Sequence, residues 1–310
     1  MGRQVGRLVR KCLETKKRIW LKVCCLRAMD ANIRILMVGG LGVCAVLFLG
    51  NLFRWLSEVN ASHLPGREKL LRSPGESVRK NLEQLNEYLI YSVALFLLVP
   101  MLFVWRTPNL SNAWPLTFLI LLMALSALPA ICVVRLYRDY ALGLRAERAV
   151  GEELNQLMLD GCHVFHDYPT GLDWHINHIV VGPSGVYVIQ TKSTPKQGAS
   201  KAAGEPEVIF DGSALKFPRH TCVASLDQAR RSADTLRQQL SENLGAAPEV
   251  KPIVSLPGWR VVRHGISDVQ VLNPKEIWQT IVTTGPAKLS ASEIRQIAYR
   301  LQKKCRDVEI

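Results

Sequence analysis

The chain has 310 residues, 48% of them apolar, which is enough to bury a core and too many for a disordered polypeptide. Its formal charge of +13 is unevenly placed: residues 1–136 carry 18 Lys and Arg against 7 Asp and Glu, while residues 137–310 carry 21 against 19. The excess accompanies three long apolar runs, so it points to anionic lipid and membrane topology and is only weak evidence about nucleic acid.

In chain order, residues 1–34 hold ten Lys and Arg, interleaved with Val5, Leu8, Val9, Cys12, Leu13, Ile19, Trp20 and Val23 at near-helical spacing. They read either as a basic amphipathic helix on the inner membrane surface or as a positive flank that orients the first span. Residues 35–136 form the membrane region, with candidate spans at 35–53, 88–105 and 115–134; Tyr88, Tyr91, Trp105 and Trp114 fall at span ends, where aromatic belts sit. Residues 54–87 read as a polar loop with a short helix near Glu76–Tyr88. The basic N-terminus and the basic flanks of the last two spans both call for the cytoplasm, which three spans cannot satisfy together. The reading adopted is an integral protein of the inner or cell membrane with a cytoplasmic C-terminal domain, 137–310. Inside the spans there is no buried charge to suggest transport. The eight cysteines include no Cys-x-x-Cys, which excludes a zinc ribbon and gives no disulfide framework.

Beyond residue 137 the pattern is that of an α/β domain. Leu142–Leu159 has helical periodicity, with Glu147 heading a stripe of Val150, Leu154, Leu157 and Met158, and Glu153 lying between them. Cys162–Tyr168 reads as a strand, followed by a loop bearing Asp173. The stretch His175–Ser193 reads as a hairpin: β-branched Ile176–Val181, the turn Gly182-Pro183-Ser184-Gly185, and Val186–Thr191. Period two puts Asn177 on a face with Ile179 and Val181, and Gln190 and Lys192 on a face with Val186 and Val188. His175 and His178 fall on opposite faces, which argues against a shared ion. Residues 194–207 read as an exposed loop, where Lys192, Lys196 and Lys201 could form a phosphate-contacting edge. An amphipathic helix, Leu226–Leu240, turns Leu226, Ala229, Ala233, Leu236 and Leu240 inward. Strands at Val250–Leu256 and around Val269–Leu272 come next, then helices at Pro274–Thr283 and Ser290–Lys304, the last opened by a capping box, Ser290 with Glu293.

These residues resemble the nuclease-related domain (NERD), a branch of the PD-(D/E)XK nuclease superfamily, over about residues 140–283. Ile176, His178, Gly182, Pro183, Gly185, Thr191 and Lys192 match the family's skeleton of Ile-Asp-His, strand, Gly-Pro-x-Gly, strand and Glu-x-Lys. Two acidic positions depart from it: Asn177 stands for Asp, and Gln190 for the usual Glu. The resemblance implies a restriction-endonuclease-like mixed sheet flanked by helices, preceded here by transmembrane helices. It also implies Mg²⁺ held by hard oxygen ligands, with Glu147, Asn177 and Gln190 at the metal positions and Lys192 stabilising charge. Two amides in place of carboxylates predict weak metal affinity unless another acid substitutes, and Asp173 is the nearby candidate; Glu153 and Gln228, at the start of the amphipathic helix, are further candidates. Three readings are open: a membrane-tethered Mg²⁺-dependent nuclease acting on nucleic acid, DNA foremost; an inactive NERD module that binds nucleic acid or a protein partner at the membrane; and a structural membrane protein.

Overall fold

The computed structural model describes residues 69–106, 113–195, 206–244, 248–283 and 287–308. The basic segment 1–34, the first apolar run, most of the link after Arg106, and Lys196 and Lys201 lie outside these. The chain divides into two compact units, residues 1–65 with 91–129, and residues 66–90 with 130–310.

Two helices run through both units. Helix α1 (Glu76–Arg106) takes in the second apolar run and α2 (Ala113–Asn155) the third. At 1.5 Å per residue they are about 46 and 65 Å long, and both are long and apolar enough to cross a membrane. Within the first unit their apolar side chains are largely bare, with Leu97 60% and Met101 68% exposed. The short helix expected near Glu76 is continuous with α1, and the helical stretch from Leu142 is continuous with α2. No helix-breaking residue separates them, and extending a helix is much cheaper than nucleating a second one.

The second unit is built on a five-stranded mixed sheet. Strands β2 (His163–Pro169), β3 (His175–Gly182) and β4 (Gly185–Thr191) form an antiparallel meander; β8 (Val250–Ser255) lies parallel to β4, and β10 (Gln270–Leu272) parallel to β8. The strand order is thus β10-β8-β4-β3-β2. Strand β4 is central and buried on both faces, which explains its unbroken run Val186-Tyr187-Val188-Ile189. On one face Phe165, Ile179, Val181, Val186 and Val188 meet helices α3 (Ala224–Leu244) and α5 (Ala291–Cys305) through Leu236, Leu240, Ile297 and Leu301. On the other face Val180, Tyr187 and Ile189 meet Val150, Leu154 and Leu157 of the α2 region and Ile277 and Ile281 of α4 (Pro274–Thr283). Full burial of each such aliphatic side chain contributes about 1.5–3 kcal/mol. Met158 leaves the expected stripe and is half exposed. The helix tightens to a 3₁₀ turn at Gln156–Asp160 and stops at Gly161, whose φ of 76° is left-handed, so the 3.6-residue spacing no longer applies there.

A four-stranded sheet not foreseen from periodicity is assembled from β5 (Glu207–Phe210), β6 (Leu215–Lys216), β7 (Thr221–Cys222) and β9 (Arg260–Arg263), in the order β7-β6-β5-β9. Phe210, Leu215, Phe217 and Trp259 pack it against Leu226, Ala229 and Val254. Finally β1 (Leu70–Leu71) pairs antiparallel with β11 (Arg306–Val308), so the segment just before α1 is tied to the end of the domain.

Candidate active site

The turn of the β3–β4 hairpin is a rigid support. Gly185 has φ 132°, where a side chain is strained, and a Cβ on Gly182 would come within 2.5 Å of Cys162 Sγ. Ser184 Oγ donates to the Ile281 carbonyl at 2.8 Å, and the Pro183 carbonyl accepts from the Lys288 and Leu289 amides.

At the other end of the hairpin lie the polar groups. The ladder registers His166 with His178 and Tyr168 with Ile176, and between them Asp167 has φ 51°. Alternation breaks at this point. Ile176 joins Ile179 and Val181 in the core cluster, while the Asn177 side chain hydrogen-bonds the carboxylate of Glu147 on α2. The expected face for Asn177 is thereby corrected, because the irregular Asp167 disturbs the pleat of its neighbour strand. Asn177 Oδ1 accepts from the Thr191 amide at 3.2 Å.

Glu147 is 6% exposed, and its pKa is pushed up to about 7. Burial is the main cause, the charge of Asp167 adds to it, and the Asn177 hydrogen bond opposes it. Its Oε2 is buried with no partner among the described residues, and so is Gln190 Oε1. Alternation along β4 puts Gln190 on the side of Val186 and Val188. The Lys192 amide donates to the Ser255 carbonyl at 2.9 Å, continuing the β4–β8 pairing, and the residue is half-buried at the strand end.

The structure therefore joins Glu147 directly to Asn177, and places Gln190 and Lys192 at the end of the adjacent strand. Glu153 is half-buried and accepts from Gln156 of its own helix region at 3.3 Å. Asp173 is exposed on the β2–β3 loop. Gln228 is exposed and lines, with Trp174 and Arg231, a cleft of about 250 Å³ beside that loop.

The acid nearest the pair is Asp167, which periodicity did not single out. It is fully buried: Oδ2 accepts from Arg72 Nη1 at 2.8 Å, from Ser77 Oγ at 2.6 Å and from the Ser77 amide at 3.1 Å, and Oδ1 faces His175 Nε2 at 3.3 Å. Its one sequence signal was a carboxylate inside the strand HVFHDYP, since a buried charge demands partners. Two further buried groups adjoin it: His166 Nδ1 lies 2.9 Å from His178 Nδ1, and His178 Nε2 lies 3.1 Å from Thr191 Oγ1. Burial lowers His166 to about 4 and holds His178 well below the usual histidine range, so both rings are neutral.

A hard cation suits the donor type of Glu147 Oε2, an oxygen without a partner among the described residues; Gln190 Oε1 is likewise without one, but alternation puts it on the opposite face of the sheet. The charge is sparse. Among the described residues no group of three His, Cys, Asp or Glu converges on one point.

A helix, a three-stranded meander, a second helix and a parallel strand, with the helix glutamate set against the hairpin amide, define an α/β domain of the nuclease type. Residues 142–257 match the family model of the nuclease-related domain, and this part of the chain is a NERD domain. No curated protein and no solved structure matches the chain.

Proposed function

We propose that this chain is a membrane-tethered NERD protein whose soluble domain, 137–310, faces the cytoplasm and acts on nucleic acid, DNA foremost, by divalent-cation-dependent phosphodiester hydrolysis. The observation that carries the reading is the buried Glu147 Oε2, which has no partner among the described residues and stands at the family's helix-glutamate position beside Asn177. Glu147 would provide the carboxylate oxygen for Mg²⁺, and Lys192 would steady charge on the phosphate. Bound there, the cation supplies Lewis-acid polarisation of the phosphate and a more acidic water. Glu147 must shed its proton to serve as a ligand, so cation binding strengthens as pH rises through about 7. Tethering rests on the two helices long and apolar enough to span a bilayer.

A second reading, an inactive NERD module that binds nucleic acid or a protein partner, is favoured by Asn177. Its amide engages Glu147 and its oxygen is taken by the Thr191 amide, where a second carboxylate would otherwise face the cation.

The test is cleavage of supercoiled plasmid by the detergent-purified full chain with Mg²⁺ or Mn²⁺. The full chain is needed because Arg72 and Ser77 hold Asp167, and a fragment starting at 137 lacks both. The nuclease reading expects native cleavage that Glu147→Gln and Lys192→Ala each reduce by about a hundredfold or more. Cleavage by Asn177→Asp alone supports the binding-module reading instead.

A further inference from the structure

Helix α5 buries Ile294, Ile297, Ala298, Leu301 and Cys305 against the sheet. Its 3.6-residue repeat then brings Gln296, Tyr299, Arg300 and Lys303 together on a flank that faces α3 across a groove. Tyr168 of β2 and Gln239 of α3 contribute to the walls, and the groove encloses about 600 Å³, within the roughly 300–1,000 Å³ range of ligand sites.

The chemistry of the lining is one-sided, with three cations, Arg300, Lys303 and Lys304, and no acid. Lys304 is engaged internally, its Nζ 3.2 Å from Gln239 Oε1 and 5.5 Å from the Tyr168 ring centre. Arg300 Nη1 is buried and finds no partner among the described residues. Elsewhere in the domain Arg230, Arg237, Arg263, Lys216 and Lys288 are each paired with an acid, whereas Arg300 and Lys303 form no ion pair among the described residues. Beside Arg300, Tyr299 is 71% exposed, a bare aromatic face next to free cations. Cations beside an exposed aromatic ring in a concave track suit a strand whose phosphates and unstacked bases are both accessible. A membrane surface would instead require a broad basic face, and the domain from 137 onward carries 21 Lys and Arg against 19 acids.

We propose that the groove between α3 and α5 binds a single-stranded nucleic acid segment, with Arg300 and Lys303 on its phosphates and Tyr299 stacked on a base. This rests on the nucleic-acid reading above and extends it, since it assigns a substrate-holding surface outside the Glu147–Asn177 pair.

The test is fluorescence anisotropy of a labelled oligothymidylate with the detergent-solubilised full chain in EDTA, so that binding is read without metal or cleavage. The expected result is that Arg300→Gln with Lys303→Gln weakens binding at least tenfold and lowers the salt slope by about 1.4. Tyr299→Ala weakens it by about tenfold and Tyr299→Phe does not. Circular dichroism melts identical to native exclude misfolding as the cause. Native-like binding by these variants overturns the groove and leaves the nuclease reading intact, whereas failure of the native chain to bind any strand overturns both. Loss of sedimentation with anionic phosphatidylserine vesicles in the Arg300/Lys303 variant, with oligonucleotide binding unchanged, makes the groove a lipid site and also overturns the proposal.

Discussion

Two buried carboxylates near the start of the hairpin meet opposite fates. Asp167 has its charge balanced by Arg72, which is also held by Asp307 at 2.7 Å, and its Oδ2 accepts from both the amide and hydroxyl of Ser77, while its Oδ1 faces His175 without a hydrogen bond. Glu147 receives one amide from Asn177 and is otherwise left with a bare oxygen and a pKa near 7. The comparison separates a carboxylate used to hold the structure from one kept available. A structural charge is balanced by a cation because desolvating it alone is costly, whereas Glu147 has no cation beside it and bears the penalty as a raised pKa.

The largest expected effect comes from removing the enclosed acid. Asp167→Ala leaves Arg72 without its buried partner and should destabilise the domain by about 3–5 kcal/mol, read as a lowered denaturation midpoint. Asp167→Asn keeps the shape, and a smaller loss for that variant would show how much of the effect is charge.

Removing the available acid should act in the other direction. Because the folded pKa of Glu147 is raised from 4.5 to about 7, the folded state prefers the protonated form; the corresponding stability is present below pH 4.5 and lost as pH rises through 7. Glu147→Gln should therefore be more stable than native at pH 8, by about 3 kcal/mol at most, and nearly neutral at pH 4. Equal stabilisation at both pH values would contradict the assignment.

The neutral histidine pair supplies the opposite slope. The folded pKa of His166 is depressed to about 4, so its contribution is present above pH 6.5 and disappears as pH falls towards 4. Replacing His166 by Gln should flatten the acid limb of the stability profile while leaving its alkaline limb unchanged. The smallest effect belongs far from either acid: Ser290→Ala removes the cap that accepts from the Glu293 amide and should cost about 1 kcal/mol in thermal denaturation.

Much of this frame was legible in the residues themselves. The β-branched runs on either side of Gly182-Pro183-Ser184-Gly185 specify a hairpin, the Ser290–Glu293 spacing specifies a helix start, and Pro274–Thr283 begins and ends where its pattern does. Glu147 and Asn177 could be named from their place in the motif, although not from periodicity, which put Asn177 on the wrong face. The second sheet was not legible, because two-residue strands such as Leu215–Lys216 and Thr221–Cys222 carry no period of their own and exist only through pairing.

Sequence alone therefore determined the features whose causes are local: turn chemistry, helix caps, apolar periodicity and the apolar runs of α1 and α2. Tertiary structure decided those whose causes lie far apart in the chain. Arg72 meets Asp307 across 235 positions, Asp167 is held by Arg72 and Ser77 from 95 and 90 positions away, and Glu147 stays half-protonated near neutrality because the fold buries it without a cation beside it. Charge state and pleat depend on what the completed fold packs around a residue, and neighbours in sequence do not supply that information.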